Sequence, residues 1–143
     1  IDVAVTWEPW ITKVAGEKKG HVIFSSKETP NLILDVLAVG TKAAAKRSAE
    51  TRAFLKAMNR GYEFVQAHPD EAAALGAKAL EQKPEEVKAM LTKVELYSPA
   101  KNLTVMAGPA AEASKQVAKF FKDHGVNDTL VDTNTLYDAS YLK

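Results

Sequence analysis

The densest chemistry in the chain lies in four consecutive residues, Trp7-Glu8-Pro9-Trp10, which hold both of its tryptophans. A tryptophan offers a flat apolar wall, and a carboxylate beside it can anchor an amine, so the tetrapeptide contains the parts of a small-molecule site. The same residues also spell a helix start, with Pro9 at the first helical position, Glu8 near the positive end of the helix and the tryptophans packing inward. Spacing alone leaves both readings open. A second candidate is Asp35, a carboxylate in the middle of the apolar run Leu32 to Val39. Buried, it would be costly unless a partner or a solvated cleft receives it, which points to a position near a ligand or hinge; at an exposed strand edge it needs no such role.

Other chemistries lack their residues. The chain has no cysteine, so disulfides, thiolate metal sites and a cysteine nucleophile are excluded together. His21, His68 and His124 stand far apart and in no metal-ligand spacing, which gives each a surface or capping role. Ser25 or Ser26 could be set beside His68, but no nucleophile-elbow motif frames either serine. There is no glycine-rich phosphate cradle. No catalytic residue, metal ligand or cofactor site is therefore expected. Lysine and arginine (19) nearly cancel aspartate and glutamate (18), so no uniform field favours nucleic acid. No apolar run approaches the roughly 20 residues that span a bilayer.

The elements that must position these residues follow from periodicity. Ile1 to Thr6 alternates like a strand, and its start without methionine reads as the interior of a fold. Pro9 opens a short helix ending near Gly16. His21 to Phe24 reads as a short strand and Leu32 to Val39 as one buried on both faces, as in α/β sheets. From Thr41 the pattern turns helical. Ser48 is an expected N-cap with Glu50 in the first turn, and Phe54, Met58, Tyr62 and Val65 recur at helical spacing up to His68. Pro69 and Pro84, each followed by an acidic pair, predict helices over 69–80 and 84–95. Leu96 to Pro109, with two prolines, a glycine and an asparagine, reads as a loop. A helix over about 110–124 should bury Ala113, Val117, Phe120 and Phe121 and end at Gly125 in the left-handed C′ position, with Val126 reaching back to Phe121. Asp132 or Thr133 can cap a last short helix through Leu136, Tyr137 and Tyr141. The apolar fraction of 46% is that of an ordinary globular protein, and the patterning reads as α/β, strands first and helices after.

Taken together, these residues resemble a known family. Ile1-Asp2-Val3-Ala4-Val5-Thr6-Trp7-Glu8-Pro9-Trp10 resembles the "G-x-x-D-A-x-x-x-W-[ED]-P" signature of the type II solute-binding proteins for nitrate, taurine, aliphatic sulfonates and thiamine-pyrimidine precursors. Pro30 to Val39 looks like that family's return strand after its interlobe crossover. Phe64 to Ala73 resembles its "[FY]-x-x-x-[HN]-P-[DE]-E-A-A" segment, and Ala118 to Gly125 with Leu136 to Leu142 resembles its C-terminal pattern. The resemblance implies the C-terminal part of a two-lobed α/β protein: residues 1–24 the end of the second lobe, 25–40 the crossover and return strand, 41–143 the helical C-terminal part of the first lobe. It further implies a non-enzymatic solute carrier in the periplasm or lipid-anchored outside the membrane, with an ABC permease as partner, no cofactor, and a chain that can self-associate. Trp7 and Glu8 match the family's cleft-facing pair, Trp10 follows them, and Asp35 falls near the crossover. Two other functions share this resemblance, a ligand-sensing domain of a signalling protein and a thiamine-pyrimidine synthase-like enzyme, the latter needing a histidine cluster that the chain does not show.

Overall fold

The computed structural model describes residues 2–142. Helices joined by irregular segments make up these residues, with no strand or sheet among them. The order is α1 (Trp10–Gly16), a 3-10 turn (Ser26–Glu28), α2 (Thr41–Lys46), α3 (Ser48–Ala67), α4 (Pro69–Leu80), α5 (Pro84–Leu91), α6 (Pro99–Ala107), α7 (Pro109–Asp123) and a closing 3-10 turn (Ala139–Tyr141).

This corrects the α/β expectation. Ile1 lies outside the described residues, but 2–6, 21–24 and 32–39, all expected as strands, are irregular. A strand exists only as part of a ladder, and none of residues 2–6, 21–24 and 33–39 makes a backbone hydrogen bond among the described residues. Their side chains are correspondingly open: Val5 is 99% exposed, Ile23 73% and Ile33 74%. The expected burial of Leu32 to Val39 on both faces is absent.

The chain divides into two units, residues 1–25 with 63–96, and residues 26–62 with 97–143. In the first, α4 and α5 pack through Ala73, Ala77 and Val87, flanked by Met90 and Leu91. Small side chains bring these helices together; a Cβ on Gly76 would stand 3.1 Å from the Val87 Cγ1. Pro69 and Pro84 open α4 and α5 at their first positions, where a missing N–H costs nothing. The Glu86 carboxylate accepts from the Lys83 backbone N–H at 3.1 Å, returning to the start of α5. Asp70 and Lys88 form an ion pair from α4 to α5. Helix α5 ends at Leu91, four residues before the expected 95, where the Thr92 hydroxyl donates to the Ala89 carbonyl at 2.7 Å.

In the second unit, α6 and α7 pack across Gly108 and bury Val105, Ala110 and Ala118. Helix α6 replaces the expected loop over 96–109. Ser98 is its N-cap, accepting from the Lys101 N–H at 3.2 Å, and Pro99 sits in its first turn. Helix α7 ends as expected: Gly125 has φ +68°, the Val126 N–H donates to the Phe121 carbonyl at 2.8 Å and the Gly125 N–H to Lys122 at 3.2 Å, a complete Schellman motif. Its burial differs from expectation. Ala113 and Val117 are only partly covered, Phe120 is 54% exposed and Phe121 38%. The last expected helix is a 3-10 turn over 139–141 capped by Asp138, which accepts from the Ser140 N–H at 2.9 Å; Asp132 instead accepts from Asn134. Ser48 likewise lies inside α3, whose first turn bonds to the Arg47 carbonyl.

Candidate functional site

Trp7 to Trp10 form the turn that enters α1. The Trp10 N–H donates to the Trp7 carbonyl at 3.0 Å, Pro9 is the N-cap rather than the expected first helical residue, and the Glu8–Pro9 peptide is cis. Glu8 satisfies the helix start with its side chain. Its Oε2 accepts from the Thr12 N–H at 3.2 Å and from the Thr12 hydroxyl at 2.6 Å. From α5's far side Lys93 brings its ammonium to 3.3 Å from Oε1, and also donates to the Thr12 hydroxyl oxygen.

Only 12% of the Glu8 side chain is exposed, against 39% for Lys93. Burial pushes the Glu8 carboxyl up, but the Thr12 hydroxyl and N–H together with the Lys93 ammonium outweigh it and hold the group below its ordinary value. The carboxylate is ionised and its acceptor positions are engaged. The tryptophans face outward: Trp7 is 72% exposed and Trp10 52%, with the Lys13 ammonium 5.7 Å from the Trp10 ring centroid. The arrangement is thus an open aromatic surface beside an internally paired carboxylate and two ammonium groups. It can stack on a flat or apolar group and attract an anion.

The structure brings Trp7, Glu8 and Trp10 together in the first unit. Asp35 belongs to the second unit, is exposed, and has no hydrogen-bond or ion-pair partner among the described residues. Sequence reasoning missed Thr12 and Lys93. Thr12 was legible, since it lies in the first turn of the helix that Glu8 precedes, where backbone N–H groups lack partners within the helix. Lys93 was not, because only packing brings it there.

The second unit also holds a groove of about 350 Å³ between α7, residues 31–36 and residues 127–137. Its walls are mostly apolar, and a hydrogen bond of 2.9 Å joins the Ser114 and Tyr137 hydroxyls within it. Of the histidines, His68 lies tilted against Phe64, with ring centroids 5.2 Å apart, and His124 stacks on Phe120. No group of acidic and histidine side chains among the described residues is placed to hold a metal ion, and no helix there is long and apolar enough to cross a membrane.

The sequence pattern of the family described as NMT1/THI5 like matches residues 1–72. The chain belongs to the NMT1/THI5-like family. The matched stretch takes in the Trp7-Glu8-Pro9-Trp10 turn, Asp35, and the His68-Pro69-Asp70-Glu71 start of α4. Neither a curated protein nor a solved structure matches the chain. Membership in the NMT1/THI5-like family is consistent with solute binding in a general sense.

Proposed function

We propose that this chain is the solute-binding part of an ABC-type importer, working in the periplasm or anchored outside the membrane, and that it captures a small polar molecule of the sulfonate, nitrate, taurine or pyrimidine kind. The observation that carries the reading is the coincidence of the family match with an open aromatic surface: residues 1–72 contain Trp7 and Trp10, both more than half exposed, at one helix entry. The chain makes and breaks no bond in this role. A membrane permease receives the solute.

Charge narrows the solute. Glu8 is shared between Thr12 and Lys93, so it positions the turn and the lysine rather than meeting an amine. Lys13 and Lys93 outnumber it, which favours an anionic head such as a sulfonate or nitrate. Asp35 has no part in this site.

The test is calorimetry with nitrate, taurine, a short alkanesulfonate and an aminopyrimidine. Trp7→Ala should weaken the best binder by about ten- to a hundredfold, the worth of a buried aromatic wall. Glu8→Gln should leave an anion bound at least as well. No heat from any of the four with folded wild-type chain, or equal affinity in Trp7→Ala, would sink the reading.

A further inference from the structure

The Lys93 ammonium belongs to a closed ring of hydrogen bonds. It lies 3.3 Å from the Glu8 Oε1 and donates to the Thr12 hydroxyl oxygen, while the Thr12 hydroxyl donates to the Glu8 Oε2 at 2.6 Å. Thr12 has one hydroxyl proton and Glu8 takes it, so toward Lys93 the same oxygen acts only as acceptor. The lysine is held at its other end as well. Its backbone N–H donates to the Met90 carbonyl at 2.9 Å, and Met90 packs on the Ala73, Ala77 and Val87 core of the first unit. An ammonium carries three N–H donors, and among the described residues Lys93 has partners for two of them. The third is left over on a side chain that is 39% exposed, beside the turn that carries Trp7 and Trp10.

We infer that Lys93 selects the solute by its anionic head and that Thr12 is its positioning residue. The inference rests on the solute-binding reading and narrows it from a surplus of positive charge to one oriented donor. Lys13, the other ammonium of the site, is placed differently: it stands 5.7 Å from the Trp10 ring centroid, and among the described residues no hydroxyl or carboxylate holds it. An anion that docks on Lys13 must freeze a long side chain, whereas the ring has already frozen Lys93. Glu8 offsets part of the Lys93 charge, but a fixed N–H aimed by two partners makes a charge-assisted hydrogen bond, which a diffuse field does not. Glu8→Gln keeps an oxygen within reach of these donors and removes charge, so Thr12 is the position at which the ring is broken without altering the net charge.

Calorimetry of the full chain with propanesulfonate and with its uncharged counterpart, propanesulfonamide, tests the assignment. Lys93→Met should weaken propanesulfonate by about tenfold or more and change propanesulfonamide by less than about twofold, and Lys13→Met should weaken propanesulfonate less than Lys93→Met does. Thr12→Val keeps the shape of the side chain and removes its hydroxyl. It should weaken propanesulfonate by about three- to tenfold, and Thr12→Ser, which returns the hydroxyl, should restore the affinity. Circular dichroism checks that each variant keeps its helices. Equal losses at Lys93 and Lys13, equal losses of the two compounds in Lys93→Met, or full propanesulfonate affinity in Thr12→Val would overturn the inference and leave solute binding standing. A folded wild-type chain that gives no heat with propanesulfonate overturns it as well, and nitrate, taurine and the aminopyrimidine then decide the wider reading.

Discussion

The Glu8 carboxylate serves three donors, the Thr12 N–H, the Thr12 hydroxyl and the Lys93 ammonium, and thereby ties the entry of α1 to a residue far along the chain. Removing its charge should loosen that tie. Because its pKa is lowered from 4.5 on folding, the charged form stabilises the fold at neutral pH, and this contribution is lost as pH falls through the folded value. Glu8→Gln should therefore be less stable than wild type at pH 7, and the gap should close as pH falls through the lowered value of folded Glu8, where its carboxyl becomes neutral too. Urea midpoints measured across that range check it; a gap independent of pH would assign the effect to packing. The residue types of the site were legible because tryptophans are rare and lay together. The assignment of Glu8 to an amine was not secured by sequence, since the partner that engages it from a distance, Lys93, is set by tertiary packing.

Helix boundaries in this chain are written by proline and glycine. Pro69, Pro84, Pro99 and Pro109 each stand in the first turn of a helix. The start at Pro99 was read as loop because proline, asparagine and glycine are dense there, yet Ser98 before it is a standard cap. At the other end of α7, Gly125 occupies a left-handed conformation with open space around its Cα. Gly125→Ala should cost about 1–2 kcal/mol from backbone strain alone, read as a lower denaturation midpoint with unchanged helicity. Val87, 3% exposed between α4 and α5, is the largest kind of side chain that either unit buries. Val87→Ala should cost about 1.5 kcal/mol or more, the loss of two buried methyl groups plus the cavity they leave. A cost near zero in urea unfolding would mean that the α4–α5 pair contributes little to the measured transition.

The chain exposes 11273 Å², whereas two folded bodies sharing its mass equally would together expose roughly 8,500 Å². The excess is apolar in large part, with Phe24, Ile33, Val36, Phe54, Met58 and Phe120 all at least half open. Such surface should bind a hydrophobic dye strongly, and the small area lost on unfolding should give a shallow dependence on urea. A steep transition without dye fluorescence would contradict this burial. The same surface explains where sequence reasoning succeeded and where it failed. Helices close their hydrogen bonds within one segment, so caps, prolines and the Gly125 terminus could be read directly from neighbouring residues. The family was legible for the same reason, because the run Ile1 to Trp10 that resembles its signature is contiguous. Strands close their hydrogen bonds with another segment, and whether 2–6, 21–24 and 32–39 acquire a ladder depends on what lies alongside them. Alternating apolar residues determined that these segments suit a sheet; only the tertiary structure decided that, among the described residues, they pair with nothing, that Lys93 reaches Glu8, and that Asp35 stands in the unit without the tryptophans.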